Sequence, residues 1–170
     1  AEKARDLVSS LDVIVWAVDP KHNSLQSLAD YLESYTKELL SPSGIACRCR
    51  IPIECSSVAL SGAARHGVLL AIKESLNNVI RHATATEVEL QMSQSGDQLQ
   101  IVIVDNGCGF DWNTIQRGNG LTNLHERLQH LGGECSIETE CGKGTKVKLR
   151  VPLSGSPTRL SNSKETCEIR

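Results

Sequence analysis

Residues 74 to 83, ESLNNVIRHA, set a carboxylate, two amides, a guanidinium and an imidazole into a stretch that otherwise reads as a buried helix. At about 100° per residue, Glu74, Asn78, Arg81 and His82 gather on one side of that helix, while Val68, Ile72, Leu76, Val79, Ile80 and Ala83 form a broad apolar face on the other. Asparagine is a mediocre helix former, and an amide buried without partners costs several times what a hydrogen bond contributes, so the polar side should face something other than the core. A carboxylate and an amide oxygen one turn apart are hard ligands suited to Mg²⁺, which keeps several waters and is held by few protein groups together with substrate phosphates. An arginine a turn further on can neutralise such phosphates. A solvated helix face is the ordinary alternative.

Three glycine-rich segments follow. DNGCGFD (105–111) places Asp105 at the end of an apolar run, where a carboxylate can accept a hydrogen bond from an exocyclic amine, and Gly107 and Gly109 let the backbone bend around a flat ligand. RGNGLTNLHERLQHLGG (117–133) puts Gly118, Asn119 and Gly120 at a helix start, whose free amides and dipole suit an anion, yet no G-K-[ST] follows as in a P-loop. GKGT (142–145) stands at a strand entrance. Taken singly, each also reads as an Asx turn, a loop before a helix, or a hairpin turn.

The elements that must position these residues are legible from periodicity. Ala4, Leu7, Leu11, Ile14 and Val18 recur at spacings of three and four, the seam of a helix packed along another helix or of an ordinary amphipathic helix. A second helix starts at the Asn23-Ser24 cap, carries Leu25, Leu28, Leu32, Tyr35 and Leu39 inward, and stops at Ser41-Pro42-Ser43-Gly44. A short strand over 45–51 and a long helix over 60–83 come next. Val88, Leu90 and Met92 alternate with polar residues, SGDQ turns the chain, and LQIVIV (99–104) is nearly continuously apolar, as a central strand is. Leu121, Leu124, Leu128 and Leu131 mark a helix ended by Gly132-Gly133, before the strands CSIET and TKVKLRV. In the latter, Thr145, Val147, Leu149 and Val151 alternate with Lys146, Lys148 and Arg150, giving one covered and one wet face. The order predicts an α+β fold, a two-layer α/β sandwich whose mixed, mostly antiparallel sheet is covered on one face by helices. Residues 154–170 carry no apolar periodicity and read as a flexible tail.

Composition narrows the function class. Eighteen Lys and Arg against twenty Asp and Glu give a net charge of -2, so no basic field argues for nucleic acid and no acidic field for a cationic partner, and no direct contact with nucleic acid is expected. No apolar run approaches the roughly 18 residues of a membrane helix, so no membrane contact is expected of this stretch. Seven cysteines, an odd number without a C-x-x-C pair or a His-rich cluster, suit free thiols in a reducing compartment better than disulfides or zinc.

The order of the motifs is more specific than any one of them. An E-x-x-x-N helix, a strand ending in D-x-G-x-G-F, G-x-G-L opening a helix and G-x-G-T before the last strand resemble the Bergerat-type ATP-binding fold of gyrase-like topoisomerases, large heat-shock chaperones, mismatch-repair ATPases and histidine kinases. More narrowly, ESLNNVIRHA and GLTNLHERLQHLGG look like sensor histidine kinases paired with response regulators that carry LuxR-type DNA-binding output domains, and LDVIVWAVDP looks like the end of that subfamily's dimerisation hairpin. The resemblance implies ATP and Mg²⁺ as cofactors. It makes Asn78 the Mg²⁺ ligand, with Glu74 near the metal or activating the acceptor. Arg81, where a lysine is commoner, would touch phosphate beside His82, which stands where many kinases have a second asparagine. Asp105 would read the adenine amine, Thr145 would assist through water, and Gly107, Gly109, Gly118, Gly120 and Leu121 would shape the pocket and its lid. Asn77 has no role in that scheme.

The resemblance also divides the chain into a stub of the dimerisation helix (1–20), an ATP-binding catalytic domain (21–153) and the tail (154–170). It implies a homodimer through the dimerisation helices and a cytoplasmic domain of a protein that can itself be membrane-anchored. The resemblance places the phosphoacceptor on the first helix of the dimerisation hairpin in an H-D or H-E context, and none of the five histidines fits. His22 trails a proline turn, His66 precedes the metal helix, His82 lies in it, and His125 and His130 are on the lid helix, where Glu126 after His125 matches a variable position of the lid motif. The γ-phosphoryl group would therefore go to a histidine outside this chain. Two other readings remain open on these residues: an ATPase whose nucleotide gates a conformational clamp, and a nucleotide-free interaction module of the same fold.

Overall fold

The computed structural model describes residues 15–17, 19–51, 59–111 and 119–153. The first predicted helix falls mostly outside the described residues, of which 15–17 are helical, and the predicted tail lies wholly outside them. A five-residue strand, β1 (Ala46–Arg50), and four longer ones, β2 (Glu87–Ser95), β3 (Gln98–Asp105), β4 (Glu134–Thr139) and β5 (Thr145–Pro152), form one sheet in the order β1-β2-β3-β5-β4. β1 runs parallel to β2 and the other neighbours are antiparallel. Among the described residues three long α-helices accompany it: α1 (Leu25–Leu40), α2 (Gly62–Asn78) and α3 (Asn119–His130).

Local chemistry accounts for the element ends. The Ser24 hydroxyl accepts from the Ser27 N–H to cap α1, and Ser61 does the same for α2 through Ala64, each satisfying an N–H the helix leaves unpaired. The apolar stripe of α1 (Leu25, Leu28, Leu32, Leu40) and that of α2 (Val68, Ile72, Leu76) are buried against Leu90, Met92, Leu99, Ile101 and Leu149 of the sheet. β3, the middle strand, buries Val102 on its far side as well, which explains its unbroken apolar run. The far face otherwise carries charge: Arg48 pairs with Glu87, Arg50 with Glu89, Lys146 with Glu138 and Arg150 with Glu134.

The long helix departs from its sequence reading in two respects. After Asn78 the chain widens into a π-helical turn over Val79–Ala83, closed by Thr84 in the left-handed conformation (φ 52°). Val79 and Ala83 are still buried, but Ile80 is only half-covered. Arg65, on the buried side of α2, is 2% exposed and meets backbone instead of water. Its guanidinium donates to the carbonyls of Ala17 (2.7 and 3.0 Å), Leu60 (2.7 Å) and Asp19 (3.3 Å) and to Asn23 Oδ1 (2.8 Å). These bonds fasten the segment before α1 to α2. Trp16 adds to the fastening by stacking between His22 and Tyr31.

Candidate functional site

Strand register builds the site in two rows. Ile103, Val147 and Ile137 are cross-strand neighbours on β3, β5 and β4, and one step toward the strand ends Asp105, Thr145 and Thr139 are neighbours in the same order. Side chains two apart on a strand share a face, so both rows look toward the helices. Between them and the end of α2 lies a cavity of about 470 Å³, lined by the apolar row, Asp105 and Thr145 on the sheet side and by Glu74, Ser75, Asn78, Val79, Arg81, His82 and Ala83 on the helix side. A cavity of this size with an apolar wall and a few convergent polar groups is what a small-molecule site requires.

Asp105 is 5% exposed. Its Oδ1 accepts from the Gly107 N–H at 2.8 Å, and the backbone N–H of Thr145 also donates to the carboxylate. Burial raises its pKa above the ordinary value, and the two backbone donors hold it partly back down. Both donors approach from the protein, so the carboxylate keeps acceptor capacity toward the cavity. Gly107 cannot carry a side chain: a Cβ there would run into the Ala83 carbonyl oxygen and lie 2.7 Å from the Ala83 Cβ. The contact is fixed because the next N–H, of Cys108, donates to that same carbonyl at 2.7 Å. Gly109 turns the loop with φ 58°, a region that favours glycine, which carries Phe110 to the cavity wall. Asn106, by contrast, is structural: its Oδ1 accepts from the Thr86 and Glu87 N–H groups at the start of β2, and its Nδ2 donates to Thr86 Oγ1.

Opposite the carboxylate, Glu74 and Asn78 are half-buried at the end of α2, and Arg81 and His82 are exposed on the π turn. Gly120, in the first turn of α3, packs directly on the Glu74 carboxylate, so the start of α3 covers this end of the cavity. Of the site residues expected from sequence, Glu74, Asn78, Arg81, His82, Asp105, Gly109, Gly120 and Thr145 line one cavity. Gly107 sits behind the Asp105 carboxylate. Leu121 lies in the first turn of α3, and Gly118 lies outside the described residues. Asn77 does not line the cavity. Val79 and Ala83, expected on the apolar face away from the polar four, line the same cavity because the chain widens there, Val147 does so from the covered face of its strand, and Ser75, Ile103, Phe110, Ile137 and the supporting Thr139 were not expected at the site. Counting two residues back from Asp105 and two on from Thr145 would have found Ile103 and Val147.

The residues fit a purine nucleotide and a hard divalent ion. The apolar row offers a flat face to a base, with a carboxylate acceptor at its edge. Among the described residues no cluster of three or more His, Cys, Asp or Glu is present. An ion held at Glu74 and Asn78 would therefore have to be one that takes most of its ligands from water and phosphate, as Mg²⁺ does. The five described cysteines are free thiols, and burial pushes Cys49 up to about 12, so it stays protonated at neutral pH.

Comparison with known proteins agrees with this geometry. Residues 64–155 match the family described as Histidine kinase-, DNA gyrase B-, and HSP90-like ATPase. The chain is 35% identical over 127 residues to the signal transduction histidine-protein kinase/phosphatase UhpB of Salmonella typhimurium, covering 74% of this chain and 25% of that protein. It is 30% identical over 96 residues to the sensor histidine kinase LiaS of Bacillus subtilis, covering 56% of this chain and 27% of that one. The chain thus spans about a quarter of the length of the curated relatives it matches. Among solved structures, the histidine kinase domain of the blue-light activated kinase of Erythrobacter litoralis EL346 superposes with a TM-score of 0.68 at 21% identity, covering 86% of this chain and 72% of that one. The Acinetobacter baumannii histidine kinase AdeS gives 0.62 at 13%, covering 90% and 80%, and likenesses at these identities show the shared fold. With the family model matched over more than half of this chain, the chain belongs to the Histidine kinase-, DNA gyrase B-, and HSP90-like ATPases, and within them it is an ATP-binding catalytic domain of the histidine-kinase type.

Proposed function

We propose that this domain binds Mg·ATP in the cavity between the sheet and the end of α2, and presents the γ-phosphoryl group to a histidine carried outside this chain, for relay to a response regulator with a DNA-binding output domain. The observation that carries the reading is the buried Asp105 at the end of an apolar row, facing a helix end that bears Glu74 and Asn78. Asp105 accepts the exocyclic amine of the base, and the Ile103, Val147 and Ile137 row packs against its ring. Asn78 holds the metal through its amide oxygen. Glu74, one turn earlier, sits near the ion or polarises the incoming acceptor. Arg81 and His82 contact the phosphate chain, and the start of α3, with Gly120, covers it. Mg²⁺, when bound, offsets phosphate charge, and the residues supply positioning and electrostatics, which is most of what phosphoryl transfer needs. Residues 1–20 belong to a dimerisation helix, so the full-length kinase acts as a homodimer, and the domain works in the cytoplasm. Among the described residues no helix is long and apolar enough to cross a membrane.

The test is a thermal-shift comparison of ATP, GTP and no nucleotide, each with and without magnesium, followed by incubation with γ-labelled ATP. Stabilisation by ATP that magnesium enhances, with no acid-labile phosphohistidine on the chain, is expected. No shift with ATP would make the fold a nucleotide-free module, and self-labelling would place the acceptor among the five histidines.

A further inference from the structure

The polar row of the sheet extends one residue beyond the cavity wall. Thr139, at the end of β4, is the cross-strand neighbour of Thr145, which is in turn the neighbour of Asp105. Thr139 does not itself line the cavity; it stands half-buried beside Thr145. Its hydroxyl meets three groups. It accepts from the Phe110 N–H at 3.1 Å, donates to the Gly144 carbonyl at 3.1 Å, and lies 3.3 Å from Thr145 Oγ1.

A hydroxyl has one proton to give and two lone pairs. The Gly144 oxygen can only accept, so the Thr139 proton is committed there, and one lone pair is taken by the Phe110 N–H. The contact with Thr145 then has a single consistent polarity, in which the Thr145 hydroxyl donates its proton to Thr139. Thr145 is left with only lone pairs to offer the cavity, next to the carboxylate of Asp105. We infer that Thr139 is a positioning residue for base specificity: by taking the Thr145 proton it makes the Asp105–Thr145 edge a continuous row of acceptors, which selects a purine presenting an amine there, directly or through water, over one presenting a carbonyl. The same hydroxyl ties the loop that carries Phe110 to β4, so one side chain fixes both the shape and the hydrogen-bond polarity of the base edge. This inference rests on the nucleotide reading above and deepens it, since a carbonyl-bearing edge such as that of guanine would meet two acceptors.

The experiment measures ADP and GDP binding calorimetrically on the 170-residue chain and its Thr139→Val and Thr139→Ser variants, with melting of each variant without nucleotide as the control for folding. In T139V the Thr145 proton is free to turn into the cavity, so ADP should weaken and GDP strengthen, lowering the ADP-to-GDP preference about tenfold, the scale of one hydrogen bond lost at a buried site. T139S keeps the hydroxyl and should restore the wild-type preference. If T139V does not fold, Thr139→Cys, which replaces the hydroxyl by a weak donor and acceptor, reads the same ratio. A preference unchanged in T139V, or both nucleotides weakened there by one common factor, would show a merely structural role and overturn the inference. Failure of the wild type itself to bind ADP would strike the nucleotide reading, which the comparison of variants leaves distinguishable.

Discussion

Asp105→Asn is the perturbation that bears most directly on the site. The two side chains are close in volume, so no cavity opens, and the amide oxygen can keep the 2.8 Å bond from the Gly107 N–H. What cannot be kept is the second acceptor. The carboxylate also takes the Thr145 backbone N–H, and its remaining lone pairs face the cavity; in asparagine the atom there is an NH₂ donor. A base amine that meets it loses a charge-assisted hydrogen bond, about 1.5–3 kcal/mol, or roughly 10- to 150-fold in Kd. The unliganded fold should barely change. The lost backbone acceptor is offset by relief of a charge that burial disfavours, and we expect a Tm within about 4 °C of wild type, the equivalent of roughly 1 kcal/mol in a chain of this size.

The pH dependence follows from the same burial. Asp105 titrates above its ordinary value of 3.8, so the folded chain holds that proton more tightly than the unfolded chain. The associated stabilisation is complete below 3.8 and disappears as pH rises through the raised folded value. The difference in Tm between variant and wild type should therefore move in the variant's favour on going from acid to neutral pH. Affinity runs the other way, because a protonated carboxyl is a poorer acceptor: the ratio of wild-type to D105N affinity for ADP should fall as pH falls through that range, the ligand's own titration being common to both proteins. Calorimetry with ADP from the ordinary value of 3.8 up to neutral pH, paired with melting curves of the unliganded proteins, reads both. Equal affinities for the two proteins at neutral pH would refute the assignment of Asp105.

Asn78→Ala should leave magnesium-free ADP binding near wild type but lower the gain in ATP affinity from magnesium by at least about tenfold, the range that even outer-shell partners of a metal cost, as measured by titration with and without the ion. Gly107→Ala forces a methyl group against the Ala83 carbonyl and should break the Cys108 to Ala83 bond; about 1–3 kcal/mol of stability and measurable nucleotide binding should be lost together, seen in melting and calorimetry. Arg65→Met strands the buried carbonyls of Ala17 and Leu60 at about 1–3 kcal/mol each, partly offset by removing a buried cation, and a Tm drop of roughly 6–12 °C is expected. Circular dichroism at constant pH measures it, and an unchanged Tm would mean the bonds are made as well by water.

The sequence exposed those parts of the site whose signal is local. Glu74 and Asn78 stand out because amides and carboxylates interrupt an apolar helix, and Asp105 because a carboxylate ends an apolar strand. Three features escaped because their causes are not local. The π turn at Val79–Ala83 has the composition of ordinary helix, and its last residue, Ala83, is held against Gly107 and Cys108, residues more than twenty positions away. Arg65 carries no local signal in the sequence, because its partners, the carbonyls of residues 17, 19 and 60, are brought around it only by the fold. Thr139 is one hydroxyl in ECSIET, and its meaning depends on which residue of β5 lies opposite.

That register decides the chemistry of the whole sheet side. A slip of one residue by β5 would turn Thr145 and Val147 to the far face and bring Lys146 and Lys148 against Asp105 and Ile103, replacing an acceptor row and an apolar wall with two cations. The far-face ion pairs Lys146–Glu138 and Arg150–Glu134 form between residues that are directly opposite in the observed register. Each is exposed and contributes little to stability. Their larger consequence is discrimination, because the slipped alternative loses both pairs while also burying the lysines. The wet face of β5 therefore helps to specify the polarity of the site on its covered face, and the alternation of lysines with Thr145, Val147 and Leu149 is as much a part of the site as Asp105.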